Sequence, residues 1–198
     1  MSRTATLLVA VTVPPLLIAL VGLVHPSPLT VESARHWQTV HTVLLPLFPL
    51  VALGPWLTAR ETHRAGGVVV GLLAYVYATF YTSLDVLAGI AGGAIKDAEA
   101  GGLGIVFLVA QDMELIGGLA LVAATALAAG LVSRRGWITA PGIVCVLAGA
   151  VMHWREHVYV PWGVLSMVLL AAGWGWLVWV TRPAGAPASA ATPDSRGR

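Results

Sequence analysis

Charge is scarce in this chain: only 10% of its 198 residues are Asp, Glu, Lys or Arg, against about 25% in an ordinary soluble domain. That shortage argues against a soluble globular fold. Cysteine is almost missing as well. The single Cys145 lies in an apolar run, so no disulfide closes within the chain and there is no cysteine-based zinc motif. Nor is there a basic stripe. The net charge is only +2, and the basic residues sit in loops and tails, where membrane topology accounts for them. No nucleic-acid partner is therefore expected.

What the chain has in abundance is apolar length, with 58% hydrophobic residues. A membrane span needs about 20 such residues, and six runs qualify. The first, residues 5–24, follows Arg3; it is longer than the apolar region of a secretory signal and no small-x-small cleavage site follows, so it reads as a retained helix. Pro14 and Pro15 are expected to kink it. Residues 25–35, with Pro26, Ser27, Pro28, Thr30 and Ser33, carry the chemistry of a loop. Further helices are predicted over residues 36–59, 67–94, 103–132, 137–154 and 161–180. Residues 1–182 thus form a six-helix transmembrane domain. Residues 183–198, rich in Pro, Ala, Ser and Gly, form a tail expected to be disordered.

Basic residues near span ends are retained in the cytoplasm. One side of the predicted bundle holds Arg3, Arg60, Arg64, Arg134, Arg135, Arg182, Arg196 and Arg198, and the other only Arg35, Lys96 and Arg155. The fold class is accordingly an all-α polytopic membrane helix bundle of six transmembrane helices, multi-pass in the cell membrane. Both termini are expected to be cytoplasmic.

On this topology five of the six histidines, His25, His36, His41, His153 and His157, fall at the outer face, and His63 alone lies inside. Asp85, Asp112 and Glu114 fall within the outer portions of their helices. An ionisable group in a span costs about 2.5 to 3.5 kcal/mol at full depth and less near the interface, so such residues line cavities or find partners. The bland alternative is that they bridge neighbouring helices. Tyr77, Tyr81 and Asp85 recur every four residues, so the Tyr81 hydroxyl can approach the Asp85 carboxyl. Gln111 and Glu114 share a face that continues into Gly117 and Gly118, where a neighbouring helix can come close. Asp112 lies about 200° around the helix from Glu114. Glu114 with Gln111 is assigned to the cavity and Asp112 to a neighbouring helix or the rim, the reverse remaining open. His36 and His41, about 140° apart, chelate poorly from an ideal helix, although Pro46 and Pro49 deform that segment. His25 and His157 read as interfacial, and His41 and His153 face the acid layer. Among the aromatic residues at this level are Trp37, Phe80, Tyr81, Phe107 and Trp154, some of which belong to the belt that anchors membrane proteins.

These parts suit an enzyme doing acid-base chemistry on a lipidic substrate drawn from the bilayer. A poorly solvated carboxylic acid keeps its proton towards neutral pH and can deliver it where water would not, and aromatic faces stabilise a developing carbocation. Asp85, Glu114, Asp112, Tyr81 and Gln111 are the candidate catalytic residues. His41, Trp37, Phe80, Phe107, Trp154 and His153 are the candidate substrate-binding ones. In its size, its many-helix bundle and its intramembrane acids, with Tyr81-Thr82-Ser83-Leu84-Asp85 as the nearest local signature, the chain resembles the small bacterial integral-membrane terpene cyclases. The resemblance implies proton-initiated cyclisation or isomerisation of a prenylated substrate without a cofactor, and no DDxxD-like run is present. The alternatives are a protein that binds zinc, copper or haem through His25, His36, His41 and His153, and a proton-coupled transporter or structural subunit.

Overall fold

Backbone amides away from water must find partners within their own segment, which leaves a chain this apolar with helices as its simplest solution. The computed structural model describes residues 2–182 and is all-helical, with no strand among the described residues. The tail expected at residues 183–198 lies outside them. Helix α1 spans Arg3–Gly22 and is capped by the Ser2 hydroxyl, which accepts from the Ala5 amide at 3.2 Å. It runs unbroken through the buried Pro14 and Pro15.

The segment predicted as one helix over residues 36–59 is instead three: α2 (Ala34–Leu44), α3 (Phe48–Val51) and α4 (Leu53–Thr62). The two halves of the segment are bent by 42°. Proline explains the break, since Pro46 and Pro49 remove amide donors and crowd the preceding turn. Helix α5 (Arg64–Leu84) passes directly into a π-helical turn over Asp85–Ala91 and then into α6 (Gly92–Asp97), making one continuous 34-residue rod. Helices α7 (Leu103–Ser133), α8 (Ala140–Glu156) and α9 (Trp162–Thr181) complete the bundle. Five helices are long and apolar enough to cross a membrane, and six spans result if the bent pair counts as one.

Small residues set the helix spacing, as expected where packing rather than water exclusion holds helices together. Helices α8 and α9 meet at Gly142, Gly149 and Gly173. A β-carbon on Gly173 would stand 2.8 Å from the Gly142 carbonyl oxygen, and one on Gly149 2.9 Å from that of Ser166. Backbone cannot move aside as a flexible side chain can. Gly173→Val is therefore expected to destabilise the bundle by about 1 to 3 kcal/mol, read as a lower melting temperature of the detergent-solubilised protein.

The two ends of the bundle differ in chemistry. At one end the loop after α1, the last turn of α2, the π-turn and the end of α8 gather His25, His41, Asp85 and His157. The Arg35–Asp97 pair ties α2 to α6 there at 3.3 Å. At the other end Arg3 bridges Glu61 at 2.7 Å, near Arg135 and Arg182.

Candidate metal centre

The histidine end is built by local devices that aim ring nitrogens at one point. In the loop leading to α2, the Thr30 amide donates to the Ser33 hydroxyl at 2.9 Å and the Ser33 amide to the Thr30 hydroxyl at 3.2 Å. This reciprocal clasp fixes the approach to α2. His25 Nδ1 donates to the Pro26 carbonyl at 2.8 Å. In the last turn of α2, His41 Nδ1 donates to the Trp37 carbonyl at 2.8 Å, and Trp37 Nε1 in turn donates to the Ala88 carbonyl of the π-turn at 3.1 Å. A carbonyl can only accept, so the protons of both neutral imidazoles sit on Nδ1 and both Nε2 atoms carry lone pairs. Those two Nε2 atoms face each other at 3.4 Å. Burial and the neighbouring His41 push the His25 imidazole down to about pKa 4, so it is neutral at physiological pH.

His157 supplies the third ring. It ends α8 with φ 50° and ψ −118°, a conformation that bulky residues rarely adopt and that persists only where the surroundings enforce it. Its Nδ1 lies 2.7 Å from the Tyr81 hydroxyl, and its carbonyl accepts from His153 Nδ1 at 3.1 Å. Burial and the neighbouring rings of His41, His153 and His25 hold its imidazole well below the usual histidine range. Nitrogens of His25, His41 and His157 all lie within 4.8 Å of one another.

Beside this triad stands Asp85, the first residue of the π-turn. Such turns widen a helix and recur at functional sites because they re-aim a side chain. Only 1% of Asp85 is exposed, and neither carboxylate oxygen has a hydrogen-bond partner among the described residues. Oδ1 lies 4.0 Å from His41 Nε2. A buried carboxyl without partners is expensive, and the nearby His41 Nε2 belongs to the histidine triad. Gly89, one turn further on, makes the approach possible: a β-carbon there would overlap the His41 ring.

His41 and His157 of the triad line a cavity of about 190 Å³, together with Trp37, Phe107, Tyr159, Asp85, Glu114 and Gln111. Burial and the nearby Glu114 raise the Tyr159 hydroxyl to about pKa 12, which keeps it a donor. Gln111 and Glu114 also border a shallower opening with Leu115, Trp154 and Arg155, between α7 and α8.

The sequence-predicted residues are thus distributed unevenly. Asp85, Glu114, Gln111, His41, Trp37 and Phe107 meet in one cavity. Asp112 is exposed on the other side of α7, Phe80 packs beside Gly117, and Trp154 lies against Gly118. The Tyr81 hydroxyl meets His157 rather than Asp85, because the end of α8 brings that ring within reach. His36 is exposed and donates to the Val24 carbonyl at 2.7 Å. His153, fully buried, is occupied at both nitrogens, by the His157 carbonyl and by the Tyr77 hydroxyl at 3.2 Å. Neither His36 nor His153 joins the triad, and the place assigned to them falls to His157, whose interfacial reading gives way to a buried one. A signal for His157 existed in the sequence. Tyr77 and Tyr81 are four apart, as are His153 and His157, and the pairs Tyr77–His153 and Tyr81–His157 share one register between segments running in parallel. No family model, curated protein or solved structure matches this chain.

Proposed function

We propose that this chain is a six-span membrane protein with both termini cytoplasmic, whose outer end holds one divalent transition-metal ion of the zinc class on His25, His41 and His157. The observation that carries this reading is the pair of Nε2 lone pairs facing each other at 3.4 Å. Two lone pairs at that distance repel unless a cation lies between them. Nitrogens bonded to a tetrahedral zinc at about 2.0 to 2.1 Å are themselves about 3.3 Å apart. The Nδ1 protons held by backbone carbonyls are the outer-shell contacts that orient ligating imidazoles. Copper accepts the same donor set.

Three protein ligands leave a fourth position open, the pattern of catalytic rather than structural sites. A metal held by these ligands would acidify a bound water, and Asp85, whose Oδ1 lies 4.0 Å from His41 Nε2, would accept the proton. The chemistry such an ion would supply is hydrolytic, with water adding to a carbonyl carbon or a phosphorus of a substrate in the cavity, where the Tyr159 hydroxyl would donate to the developing oxyanion. Asp85 would then pass the proton to the leaving group as the ester, amide or phosphoester bond breaks. Glu114 and Gln111 hold the polar part of the substrate at the mouth between α7 and α8, which suits a lipid arriving from the bilayer. The overall step is hydrolysis of a lipid ester, amide or phosphoester.

Elemental analysis of the detergent-purified protein tests this. About one zinc-class ion per chain is expected, retained through dialysis and removed by a strong chelator. A protein that carries no metal and takes up none at micromolar zinc would sink the proposal. The partnerless Asp85 carboxyl also favours a second reading, proton-initiated cyclisation of a prenylated lipid. Turnover of such a substrate by the metal-free protein would establish it instead.

A further inference from the structure

The opposite end of the bundle holds a second cavity, of about 170 Å³, between α1, α4 and α9. Arg3, Arg135 and Arg182 converge on it, and Leu57 and Val178 form an apolar wall. Glu61 is there too, but it is paired with Arg3 at 2.7 Å. Among the described residues neither Arg135 nor Arg182 has a salt-bridge partner. The Arg182 guanidinium is held over the Trp179 ring, 3.5 Å from its centroid, and this stacking keeps it at the cavity's level.

Thr58 points to what belongs there. Several threonines in these helices donate to the carbonyl four residues back, as Thr12, Thr62 and Thr181 do, whereas buried Thr125 has no partner among the described residues. Thr58 does not donate in that way. It is 3% exposed, lines the cavity, and its hydroxyl has no partner among the described residues. A buried hydroxyl facing a net positive, half-apolar cavity at a helix-bundle end fits a group with several acceptor oxygens, negative charge and an attached hydrocarbon chain. Basic pockets between spans bind anionic headgroups on these grounds, and arginine is the side chain best matched to phosphate oxygens.

We propose that this cavity binds the phosphate of an anionic phospholipid, with Arg135 and Arg182 on the phosphate oxygens, the Thr58 hydroxyl donating from below, and an acyl chain against Leu57 and Val178. The site is independent of the histidine end and stands or falls separately from it. The test is native mass spectrometry of the delipidated protein titrated in parallel with dioleoyl phosphatidic acid, dioleoyl phosphatidylcholine and inorganic phosphate.

Phosphatidic acid is expected to bind at least about tenfold more tightly than phosphatidylcholine, a difference of about 1.4 kcal/mol, and more weakly as salt rises. Arg135→Gln with Arg182→Gln should remove that preference while the melting temperature in detergent stays within a few degrees. Thr58→Val should weaken phosphatidic acid severalfold and leave phosphatidylcholine unchanged. Should the double variant fail to fold, the salt dependence and the Thr58→Val result on folded protein decide. Equal binding of the two lipids, or full retention of the preference in the folded variants, overturns the proposal. So does inorganic phosphate that binds as tightly as the lipid, which would assign the cavity to a free anion.

Discussion

His41→Ala is expected to lower zinc affinity at least about a hundredfold, because changes to the shell outside a metal's ligands already cost 10- to 100-fold. The ring it removes is the hub of the site. His41 faces His25 at 3.4 Å, stands 4.0 Å from Asp85 and takes its tautomer from the Trp37 carbonyl. Equilibrium competition against a chromophoric chelator, in detergent at fixed pH, measures the loss. His25→Ala and His157→Ala should behave alike, whereas His36→Ala should leave affinity unchanged, since its ring is occupied by the Val24 carbonyl. Asp85→Asn separates a ligand from a proton acceptor: retention of the metal to within about tenfold, with turnover lost, places Asp85 on the bound water. Unchanged affinity in the His41 variant would remove the triad from consideration.

Gly89→Val should abolish metal binding without touching a single ligand. The π-turn brings the Gly89 backbone against the face of His41, and any β-carbon there overlaps the ring. The ring must then leave its position, or α2 must move off the π-turn, at a cost of about 1 to 3 kcal/mol for the overpacking. A displaced His41 no longer meets His25. The variant should therefore combine a modest fall in melting temperature with loss of the metal, measured by thermal unfolding and elemental analysis of one preparation. Gly92→Ala is the control. It lies in the same rod, where a β-carbon would meet the edge of the Phe107 ring at 3.1 Å, and Phe107 can yield slightly.

The order of the helices could be read directly, because hydropathy is a local property that accumulates along a run. The predicted runs over residues 67–94 and 103–132 fall inside the rod Arg64–Asp97 and inside α7, Leu103–Ser133. One error comes where geometry departs from an ideal helix. Proline turned one predicted helix into three. Asp85 keeps the bond from its amide to the Tyr81 carbonyl, as spacing by fours requires, and the Tyr81 hydroxyl meets His157 because another helix end brings that ring within reach.

The gathering of histidines at one end of the bundle also follows from the sequence, since alternation of helix direction fixes which loops share an end. Which of those histidines meet does not. His25 and His41 are brought together by a loop clasp and a bent helix, and His157 joins them through a backbone conformation, φ 50°, that no local preference favours. Contacts of this kind join residues 16 to 132 positions apart in the chain, and they depend on packing distances set by glycines on other helices. Apolar runs and basic residues thus dictate a helical bundle with chemically distinct ends. Only the packed structure selects three nitrogens and one partnerless carboxyl, because that selection rests on side-chain directions at Ångström precision, which periodicity along the chain does not encode.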